Sequence, residues 1–546
     1  TAKPIAKAAP RIEQFQVHGV QVLSIMSPWF FGLRIPHPAP LPSLAIGQFA
    51  MKTRQNQDFQ NHQARVTRRE LFGKSATGLG TAALASLLSK DSLLAASPGS
   101  NIGNGQPPLP GLPHHLPTAK RVVVLWQGGG PSHVDLFDDK PAMVDFAGKD
   151  IPDSVRGTTR LSTMSSGYAK WPCLPAIKPF ETYGQCGMRL SSMLPNVGSI
   201  ADEITLIRSM YTEAVNHAPG VTFFLTGAQV PGRPSMGAWL SYGLGSETDN
   251  LPTFVVMTSS DRGKTCGQLF FDYYWGSGFL PSRYQGVRFR NTGDPVPYLA
   301  NPSGVSRESR RAMLDDLAAM NEIHLQQYAD PEIETRIAQY EMAYRMQTSV
   351  PDLLDFSNES AATIERYGTD ALNKGTFANN CLIARRLLER GVRFVQLMHA
   401  GWDQHNNLYT QLAEQCKDTE VPAAALVKDL KERGMLEDTL VIWAAEFGRT
   451  PFGQGDPNKP NGRDHFGKAF SWWMAGGGVR GGHVVGSTDE FGWNITDKPV
   501  HVHDVQATIM HLCGIDHERL TFRYQGRQYR LTDVHGNVVR DLLKHP

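Results

Sequence analysis

The sequence has no Cys-x-x-Cys pair, no excess of either charge sign, no internal repeat and no unbroken apolar run of the ~20 residues that a bilayer span requires. Each absence excludes a class. Six cysteines (Cys173, Cys186, Cys266, Cys381, Cys416 and Cys513) without close pairing exclude a zinc ribbon and a thioredoxin-type centre. Free, buried thiols are expected, although Cys173 and Cys186 would close a loop in an oxidising compartment. Lys+Arg 54 against Asp+Glu 52 leaves a net charge of +2, which gives no broad footprint for nucleic acid. Charged residues make up only 19%, below the usual ~25%, while 41% hydrophobic residues suffice for a large core. Gly 52 and Pro 36 together exceed their ordinary share of about 12%, which points to many loops and away from a helical bundle.

Residues 66–74 place Arg68 and Arg69 ahead of a weakly apolar, small-residue stretch at 75–88. This resembles a twin-arginine export signal, read by a receptor rather than retained as an anchor. A small-residue cleavage site fits at 94–97, so no transmembrane helix is expected after cleavage. The expected partner is the twin-arginine export machinery, and the expected location is periplasmic or otherwise exported. Met51 makes a sensible start, so residues 1–50 read as an upstream extension and 51–96 as the signal peptide. Residues 97–118 are dense in Pro, Gly, Ser and Asn, as in a tether, and 119–546 read as one domain with insertions.

Short β-branched runs at 121–126, 204–207, 253–257, 392–398 and 439–444 predict fully buried strands. Amphipathic patterns predict helices over 305–347, 371–390, 408–433 and from Asp504 to Cys513. Apolar strands alternating with helices imply a three-layer α/β fold, a mostly parallel sheet with helices on both faces, with a small hairpin near the C-terminus.

In such sheets ligands collect beyond the carboxyl ends of the strands. Four polar clusters fall there or beside a strand: His133 and Asp135 after the first, Asp403 and His405 after 392–398, Glu446 and Arg449 after 439–444, and Asp464-His465 before the apolar 470–475. Asp403-x-His405 puts both side chains on one side if the chain is extended there. A divalent ion draws three to six ligands from distant segments; mixed Asp/Glu/His sets suit Zn²⁺ or Mn²⁺ and oxygen-rich sets suit Ca²⁺ or Mg²⁺. The structural alternative for each cluster is a helix cap or a loop hydrogen bond. His399, His483, His501 and His503 read as structural, and Trp402, Phe447, Phe466, Trp472 and Trp473 as core rather than sugar-stacking residues.

From Arg121 to the C-terminus the chain resembles the bacterial sulfatase-like family catalogued as domain of unknown function 1501, within the alkaline phosphatase and sulfatase superfamily. The resemblance runs through 127–140, 216–227, 401–406, 446–451, 462–465 and 504–514. It implies an alkaline-phosphatase-like fold and a site location. Sulfatases carry Cys or Ser, then Pro two residues on, then Arg, ahead of Leu-Thr-Gly. Aligned on Leu225-Thr226-Gly227, Pro219 matches, His217 falls at the nucleophile and Val221 at the arginine. The formylglycine precursor is missing, so ordinary sulfatase chemistry is not expected.

The resemblance gives Gln127 where an acidic residue closes the first strand, Glu446-Phe447 at a later Asp-His pair, and Asp464-His465 at the final histidine. Asp403 and His405 resemble an earlier ligand pair. The expected ligands are therefore His133, Asp135, Asp403, His405, Glu446, Asp464 and His465 for Zn, Mn or Ca. His217, Asn216 and Arg449 are the catalytic candidates, with His217 as ligand, acid/base or nucleophile and Arg449 as a clamp for an anionic ester. The expected function is metal-dependent hydrolysis of a phosphate or sulfate ester, either small or on a glycan. The alternative is a non-catalytic exported protein that binds a glycan or a protein partner.

Overall fold

In the first strand, β1 (Arg121–Gln127), every side chain from Val122 to Trp126 is fully buried. Successive side chains of a strand point to opposite faces. Val123 and Leu125 accordingly join one core cluster, while Val122, Val124 and Trp126 join another. Burial of each such side chain contributes roughly 1.5–3 kcal/mol. This computed structural model describes residues 107–545 except 160, 261–267, 291–293, 298 and 457. The expected extension 1–50, the signal peptide 51–96 with Arg68 and Arg69, and residues 97–106 of the linker lie outside the described residues.

Eight further strands complete the sheet: β2 (Ile204–Tyr211), β3 (Phe254–Thr258), β4 (Val287–Phe289), β5 (Phe394–His399), β6 (Thr439–Ala444), β7 (Phe470–Ala475), β8 (His483–Val485) and β9 (Val500–His501). Their order is β8-β2-β7-β6-β1-β5-β3-β4, with β9 continuing beside β2. Neighbours are parallel except that β7 runs antiparallel to both β2 and β6, which makes the sheet mixed. In register, Trp126 lies opposite Met398 and Ala444, so β1, β5 and β6 end together.

Seven helices matter for the site and the layers: α1 (His217–Thr226), α2 (Met236–Leu244), α3 (Arg307–Tyr328), α4 (Pro331–Leu354), α5 (Phe377–Glu389), α6 (Leu408–Glu432) and α7 (Val502–Leu512). Residues of α4, α5 and α6 pack with Val123 and Leu125 on one face. Residues of α1, α2 and α7 pack with Val122, Val124 and Trp126 on the other. The result is three layers.

The helical pattern expected over 305–347 is in fact two helices. Ala329 adopts φ +50°, the Asp330 side chain accepts from the Glu332 amide, and Pro331 takes the first helical position. Proline fits there and disfavours helix in the residue before it. Linker residues 109–118 are joined to the domain, with the Leu109 amide donating to the Gly243 carbonyl (2.9 Å) and the Thr118 amide to that of Leu512 (2.9 Å). The hairpin near the C-terminus pairs Phe522–Tyr524 with Arg527–Tyr529. Cys173 and Cys186 are both free, the first buried and the second exposed. Among the described residues no helix is long and apolar enough to cross a membrane.

His399, at the end of β5, is fully buried between the Ser259 hydroxyl (Nδ1, 2.8 Å) and the Gln415 amide oxygen (Nε2, 2.9 Å). Burial, partly offset by Gln415, lowers its pKa to about 4. Between pH 6.5 and 4 the unfolded chain therefore binds a proton that the folded chain refuses, and stability falls as pH falls. The expected loss from pH 7 to pH 5 is on the order of 2 kcal/mol for this group. Urea titrations across that window check it; a flat profile contradicts the buried neutral imidazole.

Candidate metal centre

Five connections leave the sheet at one edge, where β1, β2, β5 and β6 end and β7 begins. The β1 connection turns through Gly129 (φ +117°) and Gly130 (φ +77°). A Cβ on Gly129 would lie 2.5 Å from the Asp403 amide nitrogen, so only glycine lets this loop lie flat against the β5 connection. The Gly129 amide donates to Glu446 Oε1 at 2.7 Å, tying the β1 and β6 connections together. Trp402 Nε1 donates to Gln127 Oε1 (2.9 Å), which places Gln127 in a structural role.

His217, Asp403, His405 and His465 converge at this edge, with one ligand atom from each lying within 4.8 Å of all the others. Asp403 Oδ1 is 2.8 Å from His405 Nε2, 3.2 Å from His217 Nε2 and 3.5 Å from His465 Nε2. Asp403 and His405 meet through tight turns rather than an extended segment, with the His405 amide donating to the Asp403 carbonyl at 3.0 Å. His217 is the first residue of α1, and His465 pairs with Arg449 in a two-stranded ladder. A Cβ on Gly462 would meet the His405 carbonyl oxygen at 1.9 Å, so this glycine admits the β5 connection beside the ladder.

Each imidazole is oriented from behind. His217 Nδ1 lies 2.6 Å from Glu446 Oε1, His465 Nδ1 lies 2.9 Å from the Val215 carbonyl, and His405 Nδ1 lies 2.7 Å from Gln454 Oε1. All three partners accept, so in each neutral ring the proton sits on Nδ1 and Nε2 offers a bare lone pair. The Nε2 atoms of His405 and His465 then face each other at 3.1 Å, and buried His217 Nε2 has no hydrogen-bond partner. Three lone pairs and a carboxylate oxygen turned onto one point repel unless a proton or a cation lies among them, and Arg449 relieves only Asp403 Oδ1 at close range. The donor set and its outer partners fit a metal ion.

Charge follows the same geometry. Burial resists ionisation of Asp403, but Arg449 and the three imidazoles hold its carboxyl far below the usual range. Burial, with Arg449 and the neighbouring histidines, lowers His465 to about 4 despite its contact with Asp403. Burial also opposes charging of His217, yet contacts with Asp403 and Glu446 outweigh it and raise its pKa. A proton and a metal ion therefore compete for His217 Nε2 in the chain.

The other expected site residues sit elsewhere. Arg449 is fully buried; it binds the carbonyls of Gly129, Gly130 and Arg463 and reaches Asp403 Oδ1 at 2.5 Å and His405 Nε2 at 3.5 Å. Four of its five donors go to three carbonyls and Asp403, and the fifth only grazes His405 Nε2, so it positions Asp403 and is buried away from an incoming ester. Asp135 forms a two-point pair with Arg463 (2.7 and 3.0 Å), both side chains fully buried. His133 Nε2 contacts the Gly492 carbonyl (2.9 Å), and its ring stacks near Phe466. Asp464 accepts from Ser162 and Ser165 and from the His465 amide. Asn216 is exposed at the start of α1, and Glu446 stands behind His217. Gln454 and the Val215 carbonyl were not legible, because nothing in their local sequence marks them as partners of a distant imidazole. The five aromatics Trp402, Phe447, Phe466, Trp472 and Trp473 are all buried.

A mixed, mostly parallel sheet between two helical layers, with a three-histidine, one-aspartate cluster at its carboxyl edge, defines an α/β protein with a candidate metal centre. Residues 119–543 match the family described as protein of unknown function DUF1501, and the chain belongs to that family. No curated protein matches the sequence. Similar solved structures include a sulfatase from Pseudoalteromonas sp., 14% identical over 73% of this chain and 68% of that one, with a TM-score of 0.31. A protein in the alkaline phosphatase superfamily from Vibrio parahaemolyticus is 12% identical over 76% and 70%, with a TM-score of 0.31. The C-terminal periplasmic domain of an Escherichia coli protein, solved with zinc, is 9% identical over 79% and 94%, with a TM-score of 0.30. At these scores the neighbours' chemistry and site residues do not carry over to this chain.

Proposed function

We propose that the chain is an exported, metal-dependent hydrolase of a phosphate or sulfate ester, related to the alkaline phosphatase and sulfatase superfamily. The observation that carries the metal is the convergence of three Nε2 atoms on Asp403 Oδ1, each ring fixed through Nδ1. Three imidazoles and one carboxylate favour Zn²⁺ or Mn²⁺ over Ca²⁺, which prefers oxygen. When bound, such an ion polarises an ester oxygen and lowers the pKa of water. The ester class, a small anionic ester or a sulfated or phosphorylated glycan, rests on the sequence resemblance, and export rests on Arg68 and Arg69.

The chain's own residues divide the remaining work. Asp403 supplies the anionic ligand, held in place by Arg449. His217 faces the cluster through Nε2, so it acts as a ligand rather than the nucleophile that alignment suggests. Glu446 holds the proton on His217 Nδ1, and its buried Oε2 has no hydrogen-bond partner and can accept another. Substrate enters from the side of Asp403 and His405, the two partly exposed members.

Replacing Glu446 with Gln keeps the shape and removes the charge behind His217. Metal affinity is expected to fall about 10–100-fold with little change in thermal stability. Competition with a chelating dye measures it, and unchanged affinity would leave Glu446 as packing only.

A second reading has its own support. Arg449 and Arg463, the guanidiniums beside the cluster among the described residues, are buried and already paired with Asp403 and Asp135, which leaves neither as an unpaired cation for an anionic ester. That favours a non-catalytic exported protein binding a glycan or a protein partner. Metal analysis joined to hydrolysis assays on aryl phosphate and aryl sulfate separates the two. Stoichiometric metal with turnover supports the hydrolase; absent metal and absent turnover support the binding protein.

A further inference from the structure

A second feature lies at the opposite edge of the sheet. A cavity of about 550 Å³ is lined by Thr248, Asn250 and Leu251, which precede β3, by Arg390, which precedes β5, by Arg307 at the start of α3, and by one face of α4. The metal cluster follows the other ends of these strands. A six-residue strand separates the two places by about 20 Å.

Three arginines, Arg307, Arg345 and Arg390, line this cavity against one carboxylate, Asp352. Asp352 is already paired with Arg390 at 3.0 Å. The hydrogen bonds of Arg307 and Arg345 go to neutral groups, although the exposed Glu308 carboxylate lies close enough to Arg307 to feel its charge. Arg307 donates to Thr348 Oγ1 (2.7 Å) and Tyr344 OH (3.3 Å) and lies over the Tyr344 ring at 5.2 Å. Arg345 donates to the Asp249 carbonyl at 3.0 Å. Each guanidinium is thus held in place with N–H groups to spare, an arrangement that suits two-point recognition of an oxyanion. Thr348 and Ser349 add hydroxyls on the same face of α4, and the volume falls within the range of small-molecule sites.

We propose that this cavity binds a compact polyanion, two phosphate or sulfate groups on a small scaffold, independently of the metal centre. An excess of positive charge in the lining of a concave site raises the local concentration of such anions and fixes them by charge-assisted hydrogen bonds.

The test uses the full chain, freed of metal, with inorganic pyrophosphate and a disulfated disaccharide as separate probes at matched ionic strength. Saturable binding is expected for at least one probe. Arg307→Gln should weaken it about tenfold, and Arg307→Gln with Arg345→Gln about a hundredfold. The His405→Ala/His465→Ala variant should bind as the parent does. Binding of pyrophosphate alone identifies a phosphate ligand, and binding of the disaccharide alone identifies a sulfated sugar. If the arginine variants are unstable, phenylglyoxal labelling of the parent reads the same site, and the bound probe should shield Arg307 and Arg345. No saturable binding, loss of binding in the histidine variant, or no shielding overturns the proposal.

Discussion

Replacing Asp403 and His465 together with alanine is expected to take the purified chain from about one divalent ion per molecule to background, an affinity loss of roughly a thousandfold or more. The two residues supply the anionic ligand and one of three Nε2 donors. Asp403 also neutralises Arg449, which is fully buried, so this variant will lose stability as well as metal. His405→Ala with His465→Ala leaves Arg449 paired and should lose metal while remaining folded. Elemental analysis beside thermal unfolding of both variants reads the two effects separately. Stoichiometric metal in the histidine pair would place the ion elsewhere.

Asp135→Ala carries the largest stability effect expected outside the cluster. It strips Arg463, buried with no exposed surface, of both carboxylate oxygens and leaves only the Thr450 and Pro175 carbonyls. Removing one partner of a buried pair costs about 3–5 kcal/mol. Arg463 also lies between Gly462, which abuts His405, and Asp464, which abuts His465, so the metal ladder should loosen with it. Urea unfolding of metal-free protein measures the first effect. A loss below about 1 kcal/mol would show that water or another group replaces the carboxylate.

The layers were legible because fully buried parallel strands write themselves as short β-branched runs, and all five expected strands form. β7 is not marked as a strand by its sequence although 470–475 is apolar except for Ser471, since a short buried run with two tryptophans at 472 and 473 also suits a helix. The break at Asp330-Pro331 is marked in the sequence only by the proline, because helical periodicity continues on both sides of it.

The edge that holds the site was legible for a topological reason, because polar residues just past parallel strands end at one rim. Which of them face inward was not. His133, Asp135 and Asp464 share that rim with Asp403, His405 and His465, yet their side chains turn to Gly492, Arg463 and Ser162. Spacing gives the position of a loop residue but not the direction of its side chain. His217 entered through alignment with a nucleophile, and the fold adds it to the cluster through the start of α1.

The most direct measurement is anomalous diffraction at the zinc edge from crystals of the full chain soaked in zinc. The account predicts a single peak among His217, His405 and His465 Nε2 and Asp403 Oδ1, about 2.0–2.2 Å from each ligand atom. A chain that takes up no zinc there, or holds it at His133 or Asp135 instead, would contradict it.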